Sequence, residues 1–341
     1  MKSVSTLGSH CSLQLLKGAK DEGFRTLLVC ERRRERFYRR FGFIDELVLV
    51  DGFGELLGDE CQSVLAENDS ILIPHGTLVA QMSPDQIESI GVPVFGNKWI
   101  LRWESDRSLK ERLMREARLR MPRSIDSPGD IDTLVIVKRQ GAAGGKGYFM
   151  ANSEEEYESK RLSLIESGVI STDEDLYIQE YVPGVLAYLQ FFYSPLKADI
   201  EFFGADQRHE SDIEGLARIP APVQMGSSGI PSFNVIGNSP LVLRESLLEG
   251  AYRMGEDFVE ASSRLVAPGM NGPFCIEGVY GDDGRFTSFE FSARIVAGTN
   301  IYMNGSPYYG LLFDEPISMG RRIAREIKSA IAEERLDETV T

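Results

Sequence analysis

The chain is poor in the side chains on which metal-centred or thiol chemistry usually rests. Its 341 residues include only four cysteines and three histidines. Cys11, Cys30, Cys61 and Cys275 are scattered with no C-x-x-C spacing. That excludes a zinc ribbon or a disulfide framework and points to buried, reduced thiols. His10, His75 and His209 show no H-E-x-x-H spacing, so a three-histidine zinc site would need all of them to converge. Positive charge is also short, since 37 basic against 52 acidic side chains leave a net charge of −15. Such a surface repels phosphate backbones and anionic headgroups, so neither nucleic acid nor a membrane is expected as a partner. No apolar run approaches the ~18–20 residues of a membrane span. Polar Ser9 and His10 interrupt the start before an apolar leader can develop, so the expectation is a cytoplasmic protein without a signal peptide.

What is present is ordinary globular material, 42% hydrophobic and 26% charged, of a length that suggests two or three domains. The first third alternates apolar runs with helical spacing. Strands are expected at Val4–Leu7, Thr26–Cys30, Leu47–Val50, Ser70–Ile73 and Val92–Phe95. A helix is expected from about Ser12 to Glu22, closed by Gly23. This is the pattern of an open, mostly parallel α/β sheet. A charged helical stretch then runs from Trp99 to Arg120, ended by Pro122. Strands follow at Leu134–Lys138, Tyr148–Ala151 and Leu176–Tyr181, with a helix capped by Ser153. Residues 220–233 read as a long loop and Leu247–Val266 as an amphipathic helix. A hairpin of Phe274–Tyr280 and Phe286–Ala293 turns at Gly281-Asp282-Asp283-Gly284, and a final helix begins near Pro316. The parse is 1–100, an N-terminal α/β substrate-binding domain; 101–182, a linker helix and lid; and 183–341, a C-terminal α+β unit.

Three features carry chemistry. Gly141–Gly147 lies between two strands, and Lys146 is followed by Gly147 and not by Ser or Thr, so it is not a Walker A loop. It reads either as a flap whose N–H groups close over phosphates, aided by Lys138 and Lys146, or as a generous hairpin turn. Glu277 and Glu290 sit within apolar strand runs, where an unpaired carboxylate is costly. If the hairpin pairs, both project from one face, and the two-residue period adds Ser292 and Arg294. Such a pair could hold Mg²⁺ with substrate phosphates completing its shell, Arg294 neutralising a transferring phosphoryl group. The alternative is a Glu–Arg ion pair in a half-buried sheet. Finally, Gly8-Ser9-His10 and Pro74-His75-Gly76-Thr77 each follow a strand, where open α/β sheets bind ligands. Local capping by Ser9, with both histidines satisfied by near neighbours, is the competing reading and the slightly favoured one for either loop alone.

Taken in order, Lys138, the glycine-rich flap, Gln179–Gly184, Glu277 and Glu290-x-Ser292-x-Arg294 resemble the ATP-grasp pattern. Gly8-Ser9-His10-Cys11-Ser12-Leu13-Gln14, Phe95-Gly96-Asn97, Arg102–Asp106, Val242–Ser246, Pro268-Gly269-Met270 and the long Ser292–Asn300 run are similar to one subfamily. That subfamily is the formate-dependent 5-formaminoimidazole-4-carboxamide ribonucleotide (FAICAR) synthetases, and the likeness spans nearly the whole chain. The resemblance implies an ATP-grasp fold behind an N-terminal parallel α/β domain. It implies a ligase that activates formate with ATP and formylates 5-aminoimidazole-4-carboxamide ribonucleotide (AICAR) in purine biosynthesis. It places Mg²⁺, or Mn²⁺, on Glu277 and Glu290, and AICAR on His10, Thr77 and Asn238, with Ser9 beside them. ATP would contact Lys138, Gly145, Lys146, Gly147, the Glu180-Tyr181-Val182 hinge and Glu210, and Lys146 and Arg294 would assist catalysis. Thr77 stands where the subfamily leads one to expect serine. A homo-oligomer is also implied. A ligase joining another acid to another amine, or a non-catalytic nucleotide-binding protein, would share the diffuse part of this pattern.

Overall fold

The computed structural model describes residues 2–139, 149–211, 213–218, 220, 223–224 and 234–341. Its first sheet is parallel and runs β3-β2-β1-β4, with β1 at Ser3–Leu7, β2 at Arg25–Glu31, β3 at Glu46–Val50 and β4 at Ser70–Leu72. The expected fifth strand at Val92–Phe95 is not formed. Pro93 has no N–H to give a ladder, so the segment joins only through single bridges of Val94 to Leu72 and Phe95 to Val340. The chain's last residues occupy its outer edge, where the Val94 N–H donates to the Thr341 carbonyl at 3.0 Å. The Ser12–Asp21 helix ends as expected, on Gly23 at φ +91°. Gly18 lets it approach the Met319–Ala332 helix so closely that a Cβ there would collide with the Arg321 backbone. Gln14 completes that junction, donating to Thr299 Oγ1 at 2.9 Å and accepting from the Gly320 N–H at 2.8 Å.

The single helix expected over Trp99–Arg120 is two, Ile100–Ser105 and Arg107–Glu116. Asp106 leaves helical geometry and caps the second, accepting from the Leu109 N–H at 2.9 Å. A second sheet runs β5-β8-β6-β7, with β5 at Ser124–Ile125, β6 at Val135–Arg139, β7 at Phe149–Ala151 and β8 at Leu176–Glu180. The Glu154–Glu166 helix behind it starts on Ser153, whose hydroxyl accepts from the Glu156 N–H at 3.2 Å.

The third sheet runs β11-β10-β9-β12-β13 and is antiparallel throughout. It comprises β9 at Val185–Ser194, β10 at Asp199–Glu210, β11 at Val235–Leu241, β12 at Gly272–Tyr280 and β13 at Phe286–Ser292. β11 had no counterpart in the sequence reading. Alternation puts Phe191, Phe274, Ile276 and Phe291 on one face, packed against the Glu245–Leu265 helix. There Phe258 stacks on Phe274 at 5.2 Å and meets Phe291 edge-on at 4.9 Å. Each such pair adds about 0.5–1.5 kcal/mol beyond its buried area. The opposite face carries polar and charged groups. The Met319–Ala332 helix, capped by Ser318 and not begun at Pro316, covers one end of that face.

Candidate active site

One row of facing residues crosses the uncovered end of that face. Asp206 on β10 opposes Tyr188 on β9, Tyr188 opposes Glu277 on β12, and Glu277 opposes Glu290 on β13. Residues two positions away share the face, which adds Gln190, Arg208 and Ser292. A cleft of about 1310 Å³ lies over the row. Twelve of the candidate residues line it: Ser9, His10, Thr77, Lys138, Glu180, Tyr181, Val182, Glu210, Asn238, Glu277, Glu290 and Arg294. Gly145, Lys146 and Gly147, with the rest of the Gly141–Gly147 loop, lie outside the described residues.

The two glutamates are held differently. Glu277 is 4% exposed; its Oε2 pairs with Arg208 at 3.0 Å and its Oε1 accepts from Ser292 Oγ at 3.1 Å. Arg208 also lies against an aromatic ring, its guanidinium 3.6 Å from the centre of Tyr188. Glu290 faces the cleft and pairs with Lys110, which reaches across from the Arg107–Glu116 helix. Burial pushes the Glu290 pKa up, but Lys110 above all, then Lys138 and Arg208, hold it below the usual carboxylate value. Glu290 is therefore anionic, and Glu277 faces it directly across the β12–β13 ladder. An all-oxygen pair of this kind suits a hard divalent cation, and could hold one between its carboxylates. Among the described residues no group of three or more His, Cys, Asp or Glu converges, so the remaining ligands would come from substrate or water.

Lys138 Nζ donates to Gln179 Oε1 at 2.8 Å and lies 5.6 Å from the centre of the Phe289 ring. Burial lowers its pKa to about 8; Glu290 opposes the drop, and Arg107 and Lys110 add to it. In the hinge, the Glu180 N–H is taken by the Arg123 carbonyl and the Tyr181 N–H by the Leu134 carbonyl. No backbone acceptor for the Val182 N–H is found among the described residues. Arg294 reaches the cleft wall but is tethered there, pairing with Glu104 at 2.8 Å. Glu104 also accepts from the Ala293 N–H at 2.8 Å, so the arginine's position is fixed from both sides.

The first sheet contributes at its switch point, where β1 lies between β2 and β4. The loops after β1 and β4 bring His10 and His75 into a stack 5.5 Å apart. His75 is satisfied locally, as one of the two sequence readings had it. Its Nε2 donates to the Leu7 carbonyl at 2.8 Å and its Nδ1 accepts from the Thr77 N–H at 3.1 Å. Burial lowers its pKa to about 4, only partly offset by the Leu7 bond, so the ring is neutral. His10 holds a left-handed φ of 57°, and its Nε2 accepts from the Ala297 N–H at 3.1 Å. Loss of water around the ring, then Arg294, His75 and Arg208, lower its pKa. The neutral ring thus carries its proton on Nδ1, which makes that nitrogen a donor. Ser9 does not cap the following helix: its carbonyl, and not its hydroxyl, accepts from the Ser12 N–H at 2.9 Å.

Several members of the site were not singled out from sequence. Lys110 and Glu104 were absorbed into a charged helical stretch. The break at Asp106 was the signal that two separate helices there could each present a residue inward. Asp206 and Arg208 lie at i and i+2 of β10, a polar alternation that marks a wetted face. Phe289 is placed by a bulge: Glu277 pairs with Glu290 but Gly278 with Ser288, leaving Phe289 as the extra residue beside Lys138.

A family model described as a protein of unknown function (DUF1246) matches residues 4–125, and one described as a domain of unknown function (DUF1297) matches residues 156–341. A 5-formaminoimidazole-4-carboxamide-1-(beta)-D-ribofuranosyl 5'-monophosphate synthetase of Nitrosopumilus maritimus is 70% identical over 341 residues, all of both chains. The crystal structure of an IMP biosynthesis protein PurP from Thermococcus kodakaraensis superimposes with a TM-score of 0.79 at 32% identity, covering 99% of this chain and 100% of that one. Biotin carboxylase from Campylobacter jejuni, at 13% identity and a TM-score of 0.67 over 95% of this chain and 70% of its own, shares the fold.

Proposed function

The chain belongs to the family of 5-formaminoimidazole-4-carboxamide ribonucleotide synthetases and has an ATP-grasp fold, and from that premise we propose that its cleft formylates AICAR to FAICAR at the expense of ATP. The observation that supports this most directly is the convergence on one cleft of two facing glutamates, a half-buried lysine, the strand-end residues His10 and Thr77, and a hinge N–H with no backbone acceptor among the described residues. Residues 1–100 supply most of the AICAR pocket, 101–182 the lid and hinge, and 183–341 Asn238 and the floor with the acidic pair.

Formate is a poor acyl donor because hydroxide leaves badly. A formate oxygen attacks the γ-phosphorus, the bond to the β-phosphate oxygen breaks, and ADP departs. The 5-amine of AICAR then attacks the formyl carbon and loses a proton, while phosphate leaves. Glu277 and Glu290 hold the divalent cation, Mg²⁺ in this reading with Mn²⁺ as the alternative, which when bound neutralises phosphate charge. Lys138 binds phosphate, Glu180–Val182 hold adenine, and Glu210 lies near ATP. Arg294, kept in place by Glu104, faces the transferring group, while neutral His10 donates to AICAR beside Ser9, Thr77 and Asn238. Lys146, Gly145 and Gly147 belong to the same reading as the flap that keeps formyl phosphate from water.

Incubation with ATP, Mg²⁺, formate and AICAR, followed by chromatography, tests the proposal. Equal amounts of ADP and FAICAR are expected, each requiring formate. Rapid ADP release with another acid and none with formate would favour a different acid–amine ligase.

A further inference from the structure

Asp206 is wholly buried beneath the cleft, two residues before Arg208 on β10. Its Oδ1 accepts from Gln190 Nε2 at 2.6 Å and its Oδ2 accepts from Asn238 Nδ2 at 2.7 Å. It cannot swing away, because Gly298 packs so tightly on it that a Cβ there would collide with Oδ1. Burial raises its pKa to about 6, while Gln190, Arg208 and Asn238 oppose that rise, so the group is mainly ionised at neutral pH. An ionised carboxylate only accepts hydrogen bonds. Both neighbouring amides must therefore turn their NH₂ groups toward it. For Asn238, which lines the cleft, this decides the other end of the side chain: the amide oxygen is what a ligand meets.

We propose that Asp206 is a positioning residue that locks Asn238 as a hydrogen-bond acceptor, so that the pocket selects a substrate presenting an N–H donor at that point. The proposal rests on the reading of Asn238 as an AICAR contact. AICAR carries such donors on its 5-amine and its carboxamide. An acceptor there also repels phosphate and carboxylate oxygens, which keeps ATP and formate from settling in the AICAR pocket.

The chemistry of the three side chains gives a polarity test. In Asp206→Asn, Gln190 still donates to the remaining carbonyl oxygen, so the new NH₂ faces Asn238 and inverts it. The KM for AICAR should then rise about tenfold or more, the cost of one mismatched hydrogen bond, with the KM for ATP unchanged. Asn238→Asp alone sets two carboxylates against each other and should weaken AICAR likewise. The exchange Asp206→Asn with Asn238→Asp restores one NH₂ facing one carboxylate, still leaves an acceptor in the cleft, and should return the AICAR KM to within about threefold of the parent. Recovery is not expected from a merely structural role. An exchange that keeps its ATP KM but gives no recovery overturns the proposal, as does an unaltered AICAR KM in the isosteric Asp206→Asn. If Asn238→Ala leaves the AICAR KM unchanged, the underlying reading of Asn238 fails instead, and the proposal with it.

Discussion

One face of the five-stranded sheet carries arginine–glutamate centres at both ends, and they do different work. At the covered end, Arg322 is 3% exposed, bound to Glu201 through Nε at 2.6 Å and Nη2 at 3.0 Å, and to Glu326 at 2.8 Å. Ser194 donates to the other oxygen of Glu326 at 2.6 Å, and the guanidinium lies 4.1 Å from the centre of the Phe192 ring. Every partner of Arg322 is internal, because the Met319–Ala332 helix seals that end, and the exposed Lys197 touches the centre from its rim, 3.8 Å from Glu201. At the open end, Arg208 has one glutamate and one ring, Glu290 has one lysine, and both acids border the cleft. Identical residue types are thus structural where a helix closes over them and available for ligands where none does. A buried ion pair is weak evidence of function by itself; the unfilled hydrogen-bonding capacity beside a cavity is what separates the two ends.

The comparison can be broken first at the covered end. Arg322→Ala strips Glu326 of its buried cation and leaves Glu201 only the exposed Lys197 at 3.8 Å, and should lower stability by about 3–5 kcal/mol, read by denaturant unfolding, with KM values unchanged in the folded fraction. Altered KM values at unchanged stability would erase the distinction between the ends. At the open end, Glu290→Gln should cost about 100- to 1000-fold in kcat, or roughly 3–4 kcal/mol of transition-state stabilisation, and shift the thermal midpoint by only a few degrees. An active Glu290→Gln protein would mean that this acid is as structural as Glu201.

A neutral centre next to the cleft sharpens the contrast through pH. His75 has a folded-state pKa of about 4 against an ordinary value of 6.5. The unfolded chain therefore binds the extra proton first. The stability contributed by the neutral ring is complete above pH 6.5 and is lost as pH falls from 6.5 toward 4, by up to roughly 3 kcal/mol. His75→Gln should flatten that slope in unfolding experiments across the same window; an unchanged slope would show that other groups carry it. The smallest effect is expected at Thr77, whose N–H, not its hydroxyl, makes the observed bond to His75. Thr77→Ser keeps the hydroxyl and removes one methyl, so the AICAR KM should move by less than about threefold.

Much of this molecule was legible in its sequence, and the boundary of legibility is physical. Local periodicity and turn chemistry gave β1 to β4, the Ser153 cap and the Gly281–Gly284 hairpin, and so placed Glu277 opposite Glu290. The Val92–Phe95 strand failed on one residue, Pro93, which looks apolar in a run but cannot donate. Asp106 was read through as part of a helix because its charge matched its neighbours, although its side chain favours a cap. Lys110 could not be assigned to Glu290 because 180 residues separate them, and no local pattern reports a contact of that range. The bulge at Phe289 was equally invisible, since one extra residue in a strand leaves the composition unaltered. Asp206 was hidden for a further reason: its importance lies in which way it turns Asn238, a property of three side chains from three strands.

In the proposed reaction the open end of the sheet activates formate by phosphoryl transfer before the amine attacks. Formate labelled with ¹⁸O in both oxygens tests it most directly. If formyl phosphate forms, each turnover leaves one labelled oxygen in FAICAR and delivers the other to inorganic phosphate, which mass spectrometry reads as a two-mass-unit shift. Unlabelled phosphate alongside FAICAR would contradict the account.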